Sequence, residues 1–165
     1  SQWESSLEKI TNSMADGIKI ISENRKAFHN YFVEEKFEAG IVLKGTEVKS
    51  LREGKANLQD SYGLLKGGEL FLLNAHIPPY KLGNRENHDP LRTRKLLLNR
   101  SELSKLWGKL ETQGYSVIPL KMYFKDGLVK IEMALAKGKK SHDKREATKE
   151  KEVKRALAKV TKRRQ

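Results

Sequence analysis

The chain has 165 residues, and its 34 Lys and Arg outnumber its 21 Asp and Glu, which gives a formal net charge of +13. This length suits one domain with tails, and the lack of cysteine excludes a disulfide scaffold, a thiolate metal site and cysteine catalysis. No apolar run approaches the ~20 residues of a membrane helix, and no segment has the layout of a secretory signal peptide. We therefore expect a soluble, cytoplasmic protein with a polyanionic partner.

The two ends of the chain differ from its middle. We interpret residues 1–13 as a non-core extension or an expression remnant, because the Met-Ala-Asp sequence at Met14 resembles a natural start. Residues 137–165 contain 13 basic and 4 acidic side chains, whereas residues 1–136 contain 21 and 17. The folded domain is accordingly expected to span 14–136, followed by a basic tail over 137–165.

The tail carries no aromatic residue and few large apolar ones, so we expect it to be largely disordered when free. Val153, Leu157 and Val160 nevertheless fall at helical spacing with Lys and Arg around them. Folding into a helix against RNA is therefore one alternative. A solvated tail that only aids solubility is the other.

The first predicted elements of the domain are strands. Tyr31–Val33 and Ile41–Leu43 are β-branched and aromatic runs, and Gly40 between them predicts a bend or a bulge. One or two helical turns are predicted over Glu47–Arg52, because Val48 and Leu51 stand three residues apart and Gly54 can end the helix.

A hairpin and a long loop follow. Ser61–Leu65 and Leu70–Leu73 are apolar runs on either side of Gly67 and Gly68, which can supply the positive φ angles of a tight turn. Gly, Asn and Asp residues predict that Lys81–Pro90 is a loop.

The last elements of the domain are a helix and a second hairpin. A helix is predicted from Ser101 to Gln113, with Ser101 as its cap and Gly114 as its stop. Asp126-Gly127 is the strongest short hairpin signal, and the residues on either side of it predict two more strands. The sum is a mainly β fold with a few short helices. About six antiparallel strands joined by hairpins favour a small closed barrel of the oligonucleotide-binding type.

Residues that could support catalysis or bind a metal show no decisive pattern. His29, His76, His88 and His142 lack the spacing of metal ligands, so we expect no metal and no other cofactor. His88-Asp89 allows an acid–base pair, but a turn-forming Asp before a proline is favoured. The candidates for a pair of catalytic carboxylates are Glu34, Glu35, Glu38 and Glu47. The sequence does not distinguish such a pair from carboxylates on a solvated surface.

Basic residues form two clusters that suit RNA. The segment 91–100 contains Arg92, Arg94, Lys95 and Arg100 beside a run of leucines, and guanidinium groups bind phosphates bidentately. An ordinary charged face of a strand or helix is the alternative for this segment. The second cluster is Lys137–Lys140, which His142 follows with a ring that can stack on an unpaired base.

Several blocks of sequence occur together and in order. These blocks are Asn24–Ala27 with Tyr31–Phe32, Phe37–Gly40, Gly45–Arg52, Gly54–Asn57, Asp89–Leu98, Ala136–Lys140 and His142–Arg145. They resemble the small protein B family, the SsrA-binding proteins of bacteria. The resemblance extends from about Asn24 to Arg145 and is far more specific than a single motif.

The resemblance implies a fold, partners and a function. It implies an oligonucleotide-binding barrel that binds the tRNA-like domain of transfer-messenger RNA (tmRNA, SsrA RNA) and delivers it to stalled ribosomes for trans-translation. The basic tail would enter the decoding centre of the small subunit and the empty message channel, where it becomes helical. Elongation factor Tu would be an indirect partner through alanyl-tmRNA, the protein would be a monomer, and it would not be an enzyme.

The resemblance also implies which residues contact each RNA. Asn24 and Glu38 would hydrogen-bond tmRNA bases or riboses, and Leu97 would lie on the same surface. The full set expected to bind tmRNA is Asn24, Arg25, Lys26, Glu38, Arg92, Arg94, Lys95, Leu97 and Asn99. The set expected to face the ribosome is Lys137, Lys139, Lys140, His142, Asp143, Lys144 and Arg145. A nuclease acting through Glu and His, or a structural ribosomal protein, would be the competing functions.

Overall fold

A computed structural model describes residues 18–83, 86–112 and 114–164. The predicted extension at residues 1–13 lies outside this part of the chain. The described strands are β1 (Ile18–Glu23), β2 (Tyr31–Ile41), β3 (Tyr62–Lys66), β4 (Glu69–Leu73), β5 (Arg94–Leu97), β6 (Tyr115–Lys125) and β7 (Leu128–Gly138). The described helices are α1 (Ala27–Asn30), α2 (Gly45–Arg52), α3 (Arg100–Leu110) and α4 (Ser141–Arg164).

The strands form one antiparallel sheet that closes on itself. Their order is β1-β6-β3-β4-β5-β2-β7, and an additional pairing between β6 and β7 joins the sheet into a barrel. The long strand β6 pairs with β7 along its length and with β1 over Lys121–Lys125. The predicted mainly β, closed antiparallel barrel is confirmed.

The barrel closes at a narrow point between β3 and β6. Only Gly63 of β3 pairs there with Val117 of β6. A Cβ atom on Gly63 would lie 2.9 Å from Cγ1 of Val117, so a side chain at this position would require Val117 to shift. The glycine therefore leaves room for Val117 where β3 and β6 pair.

Alternating side chains of the strands fill the interior. Leu70 and Leu72 of β4, Met122 of β6, and Ile131 and Met133 of β7 are all fully buried. Their spacing of two residues places them on the inner face of a pleated strand, and the residues between them face outward. Burial of these side chains is the main source of the stability of the barrel.

Both predicted hairpins are present. Gly67 and Gly68 have φ angles of 61° and 77°, and Asp126 and Gly127 have φ angles of 51° and 80°. Two successive positive φ angles give a turn whose twist matches that of the strands it joins. Glycine and aspartate tolerate this conformation, which explains why the dipeptides predicted the turns.

Several elements differ from the sequence predictions: α1 and β5 were not predicted, and of the predicted strand Ile41–Leu43 only Ile41 belongs to a strand, as the last residue of β2. Strand β1 was not predicted, because its residues show no clean alternation between apolar and polar types. Strand β2 continues through Gly40 without the predicted bend, and the missing side chain of Gly40 leaves room for Leu97. Helix α3 begins at Arg100 with Asn99 at its N-cap, one residue before the predicted start, and it ends at Leu110.

The basic tail contains a long helix rather than an irregular segment. Its residues 141–164 form α4, the conformation that the spacing of Val153 and Leu157 allowed for this segment. Lys, Glu, Arg and Ala favour helices, and Glu150 stands four residues before Lys154, a spacing that stabilises a helix. Val153 and Leu157 are 58% and 62% exposed, so the apolar stripe of α4 does not join the barrel core. No helix in the described part of the chain is long and apolar enough to cross a membrane.

Candidate RNA-binding surface

The outer face of β2 and β5 brings together two of the predicted tmRNA contacts. Glu38 and Gly40 are two residues apart on β2, so both face outward. Gly40 pairs with Leu97 of β5, whose Cβ lies 3.3 Å from where a Cβ of Gly40 would be. Leu97 therefore covers the glycine on the same face as Glu38, and 51% of its surface remains exposed.

Glu38 is held as a carboxylate on this face. The hydroxyl of Tyr123 donates a hydrogen bond to Oε2 of Glu38, and Nζ of Lys125 lies 3.3 Å from the same oxygen. The Tyr123 hydrogen bond is the main reason why the pKa of Glu38 is below its usual value, and the lysine adds to the effect. Burial, together with the hydrogen bond to Glu38, raises the pKa of Tyr123. Glu38 can therefore act as a hydrogen-bond acceptor at neutral pH.

Asn24, Arg25 and Lys26 form the turn between β1 and α1. The backbone N–H of Asn24 donates to the carbonyl of Leu120 at 2.7 Å, and its Nδ2 donates to the carbonyl of Pro119 at 3.0 Å. One N–H of the amide is used in this hydrogen bond, so an RNA ligand could still bond to Oδ1 as an acceptor or to the second N–H of Nδ2 as a donor. The side chains of Arg25 and Lys26 are exposed beside it.

The prediction that Arg94 binds phosphate is wrong, because its side chain is fully buried. Its Nε donates to Oε2 of Glu47, and its Nη1 donates to the carbonyl of Ala75 at 2.7 Å. Burial lowers the pKa of Arg94, although the contact with Glu47 opposes this shift. A guanidinium enclosed in this way cannot reach an external phosphate, and it stabilises the interior instead.

Arg92 belongs to the same buried network, although part of its side chain reaches the surface. Its Nη2 donates to Oε1 of Glu47 and, at 3.2 Å, to the carbonyl of Val42. Burial alone would raise the pKa of Glu47, but hydrogen bonds from Arg92, the Lys44 backbone and Arg94 lower it below its usual value. Glu47 therefore remains charged between the two arginines.

Lys95 and Asn99 lie at the surface near Leu97. Lys95 alternates with the buried residues of β5, and its Nζ lies 2.8 Å from Oε1 of Glu69 in an exposed ion pair. Asn99 is exposed at the start of α3 and makes no side-chain capping hydrogen bond. Both positions are accessible to a ligand on the outer face.

His88 and Asp89 both have structural roles. The sequence predicted such a role for Asp89 but not for His88. Nε2 of His88 lies 2.8 Å from the carbonyl of Ile77, and its Nδ1 lies 2.9 Å from the hydroxyl of Thr46. Oδ1 of Asp89 accepts a hydrogen bond from the Leu91 N–H at 3.0 Å, as in a turn-forming Asp. The described residues contain no group of His, Asp and Glu that could hold a metal ion.

The beginning of the tail is joined to α1. The backbone N–H of Lys139 donates to Asn30, and its Nζ donates to the carbonyl of Phe28 at 2.9 Å while lying 4.9 Å from the Phe32 ring centroid. Nζ of Lys137 lies 5.8 Å from the ring centroid of Tyr115.

The other predicted ribosome-facing residues lie close to this junction. Lys144 lines a groove of about 690 Å³ together with Asn24 and Lys26. Lys140 and Arg145 stand in the same stretch of chain, at the start of α4. The side chains of His142 and Asp143 lie outside the described part of the structure.

Taken together, a closed oligonucleotide-binding barrel, an outer face with polar and basic groups, and a basic helical extension define a small nucleic-acid-binding protein. The SmpB protein family matches residues 21–163 of the chain. The chain belongs to this family, whose members are RNA-binding proteins and not enzymes.

Individual relatives agree with this assignment. The SsrA-binding protein of Geobacter sulfurreducens is 62% identical over 142 residues, which cover 86% of this chain and 93% of the relative. The SsrA-binding protein of Geotalea uraniireducens is 64% identical over 140 residues, covering 85% and 93%. A solved chain described as "tmRNA-SmpB: a journey to the center of the bacterial ribosome" has a TM-score of 0.64 and 49% identity, covering 77% of this chain and 93% of that one.

Proposed function

We propose that the protein binds the tRNA-like domain of tmRNA through its barrel and delivers it to stalled ribosomes for trans-translation. Family membership supports the two partners, since relatives are called SsrA-binding proteins and a similar solved chain is described with tmRNA and the ribosome. The observation that carries the proposal for this chain is the grouping of Glu38 and Leu97 on one outer face. The cytoplasm, where ribosomes act, is the proposed location.

The barrel face would recognise tmRNA by shape and by a few polar contacts. Glu38 would accept a hydrogen bond from a base amino group or a 2′-hydroxyl, and Leu97 would pack against an unstacked base or a ribose. Asn24 would accept through Oδ1 or donate through the N–H of Nδ2 that is not bonded to the carbonyl of Pro119. Phosphates would be neutralised by the exposed cations around these groups, namely Arg25, Lys26, Lys95 and the outer part of Arg92, with Asn99 as a further polar contact.

The tail would provide the contact with the ribosome. Cationic side chains of the tail such as Lys149, Lys154 and Arg155 are exposed, and so is its apolar stripe at Val153 and Leu157. We propose that Lys137 to Arg145 lie at the decoding centre and that α4 enters the message channel. The helical form of α4 is the one in which the tail would enter the channel, and the contacts made there would offset the entropic cost of ordering it.

A pair of matched substitutions tests the barrel surface. Leu97→Asp adds a negative charge to the proposed tmRNA face, and Leu82→Asp makes the same change at a leucine that is 79% exposed elsewhere. We expect Leu97→Asp to weaken binding of the tRNA-like domain at least about tenfold and Leu82→Asp to leave it within about twofold. Equal losses in both variants would mean that binding follows net charge and would refute the proposed face.

A further inference from the structure

A second depression lies beside Asn24 and contains an exposed aromatic ring. It has a volume of about 380 Å³ and is lined by Phe28 of α1, Lys36 of β2 and Lys121 of β6, among others. Phe28 is 51% exposed, because its neighbour Ala27 faces the core and the next residue on a helix points in another direction. We propose that this depression binds one unstacked nucleotide of tmRNA, with its base on Phe28 and its phosphate among the surrounding cations.

The charge of the depression suits a phosphate. Its lining includes four cations, of which Arg25, Lys36 and Lys121 belong to the barrel and Lys151 to α4. The carboxylates in the lining are Glu23, which lies 4.0 Å from Nε of Arg25, and Glu132, which lies 3.7 Å from Nζ of Lys121. Cations therefore outnumber carboxylates, and a bound phosphate would balance the excess.

The ring already attracts positive charge in the free protein. Nζ of Lys36 lies 5.5 Å from the centroid of the Phe28 ring. Stacking of a base on an aromatic ring is stronger than a cation–π contact at an exposed site. A base can therefore replace the ammonium on the ring, and the displaced Lys36 can pair with the phosphate of the same nucleotide.

The backbone of Phe28 is also held in place. Its carbonyl accepts a hydrogen bond from Nζ of Lys139 at 2.9 Å, which ties α1 to the end of β7. The volume of the depression falls within the range of about 300–1,000 Å³ that small-ligand pockets occupy. A pocket of this size suits a single nucleotide and is too small for an RNA helix.

This inference rests on the proposed function, since the nucleotide belongs to an RNA bound on the adjacent face. The test compares full-length wild type, Phe28→Leu and Phe28→Tyr in titrations of the tRNA-like domain of tmRNA. Leu keeps an apolar side chain without a ring, and Tyr keeps the ring. We expect Phe28→Leu to bind about tenfold more weakly and Phe28→Tyr to bind within about twofold of wild type. Wild-type affinity in Phe28→Leu, or an equal loss in both variants, would overturn the stacking.

Leu97→Asp in the same series separates the two proposals. If it weakens binding as expected while Phe28→Leu does not, the nucleotide site is wrong and the proposed function stands. If wild type shows no preference for tmRNA over an unrelated structured RNA, the proposed function fails.

A fluorescence readout detects the stacking without relying on affinity or on tmRNA. Phe28→Trp places an indole in the depression, and Leu82→Trp places one on a distant exposed position. We expect a short single-stranded RNA to quench the indole introduced by Phe28→Trp and not the one introduced by Leu82→Trp, after subtraction of the wild-type signal. Equal quenching in the two variants would contradict a nucleotide site at Phe28.

Lys151 gives a second, smaller test. Lys151→Gln should weaken binding of the tRNA-like domain two- to fivefold if α4 contributes a cation to the site. An increase in affinity would instead show that α4 covers the depression in the free protein, and it would overturn the role given to Lys151.

Discussion

Two segments of this protein, the one around β5 and helix α4, are both rich in basic residues but differ in how far those residues are buried. Before and within β5, the guanidinium groups of Arg92 and Arg94 turn inward onto the buried carboxylate of Glu47. Along α4, cationic side chains such as Lys149 and Lys154 are exposed to solvent. A partner carboxylate in the interior makes basic residues part of the fold, whereas the exposed basic residues of α4 remain available to a polyanion. A count of Lys and Arg therefore overstates the number of phosphate contacts.

Of the substitutions that test this comparison, one at Glu47 is expected to have the largest effect on stability. Glu47→Ala would leave the buried guanidinium of Arg94 without its carboxylate, which costs about 3–5 kcal/mol of the free energy of unfolding. Chemical denaturation measures the loss, with Glu53→Ala on the exposed end of the same helix as the control. A loss below about 1 kcal/mol would mean that the Glu47 network is not a structural requirement.

Removing charges from the tail should affect RNA binding and leave the stability of the fold almost unchanged. Changing Lys149, Lys154 and Arg155 together to Gln should leave the free energy of unfolding within about 0.5 kcal/mol, since these side chains are exposed. The same change should reduce the salt dependence of ribosome binding, lowering the log–log slope by about 2 to 3. An unchanged slope would argue against phosphate contacts by this part of α4.

A third prediction concerns the exposed ion pair on β5. Glu69→Gln removes the partner of Lys95 but leaves no buried charge, so it should cost no more than about 1 kcal/mol of unfolding free energy. Binding of the tRNA-like domain should improve slightly, because the lysine is released to contact phosphate. A destabilisation as large as that of Glu47→Ala would remove the distinction between the inner and outer basic residues of this strand.

The smallest effect is in the pH dependence of stability, and it concerns Glu38. Because its pKa in the folded protein is below its usual value of 4.5, the ionised form stabilises the fold. This contribution is complete above the unfolded pKa and is lost as the pH falls through the lower, folded pKa. Unfolding free energies of wild type and Glu38→Gln should therefore differ by a constant amount above pH 5.5 or so, and they should converge in more acidic solution. A difference that grew on acidification would contradict the assigned direction.

The sequence predicted the elements that depend on local chemistry. The hairpins at Gly67-Gly68 and Asp126-Gly127 follow from the need for positive φ angles, and helix α2 follows from its spacing and from Gly54, which has a φ of 77°. Strand β1 was missed because it forms by pairing with β6. This long-range contact produces no clear pattern in the residues of β1 themselves.

The candidate site was predictable where residues face outward and uncertain where they face inward. Glu38 and Leu97 came from the family resemblance, and the structure brings them to one face. Arg94 was misassigned because composition does not show whether a charged residue has a buried partner. The signal was present in the spacing, since Arg94 and Leu96 are two residues apart and share the inner face of β5. The burial of Glu47 had no comparable local signal, because its two arginine partners lie more than forty residues away.

The central claim is that tmRNA recognition belongs to the barrel and ribosome binding to the tail. It is tested most directly by titrating tmRNA into the intact chain and into a chain ending at Arg145, with unrelated structured RNA as competitor. We expect both chains to bind tmRNA in the presence of competitor, with affinities within about fivefold of each other, and only the intact chain to support rescue of stalled ribosomes. Loss of selective tmRNA binding in the shortened chain would contradict this division and would assign recognition to the tail.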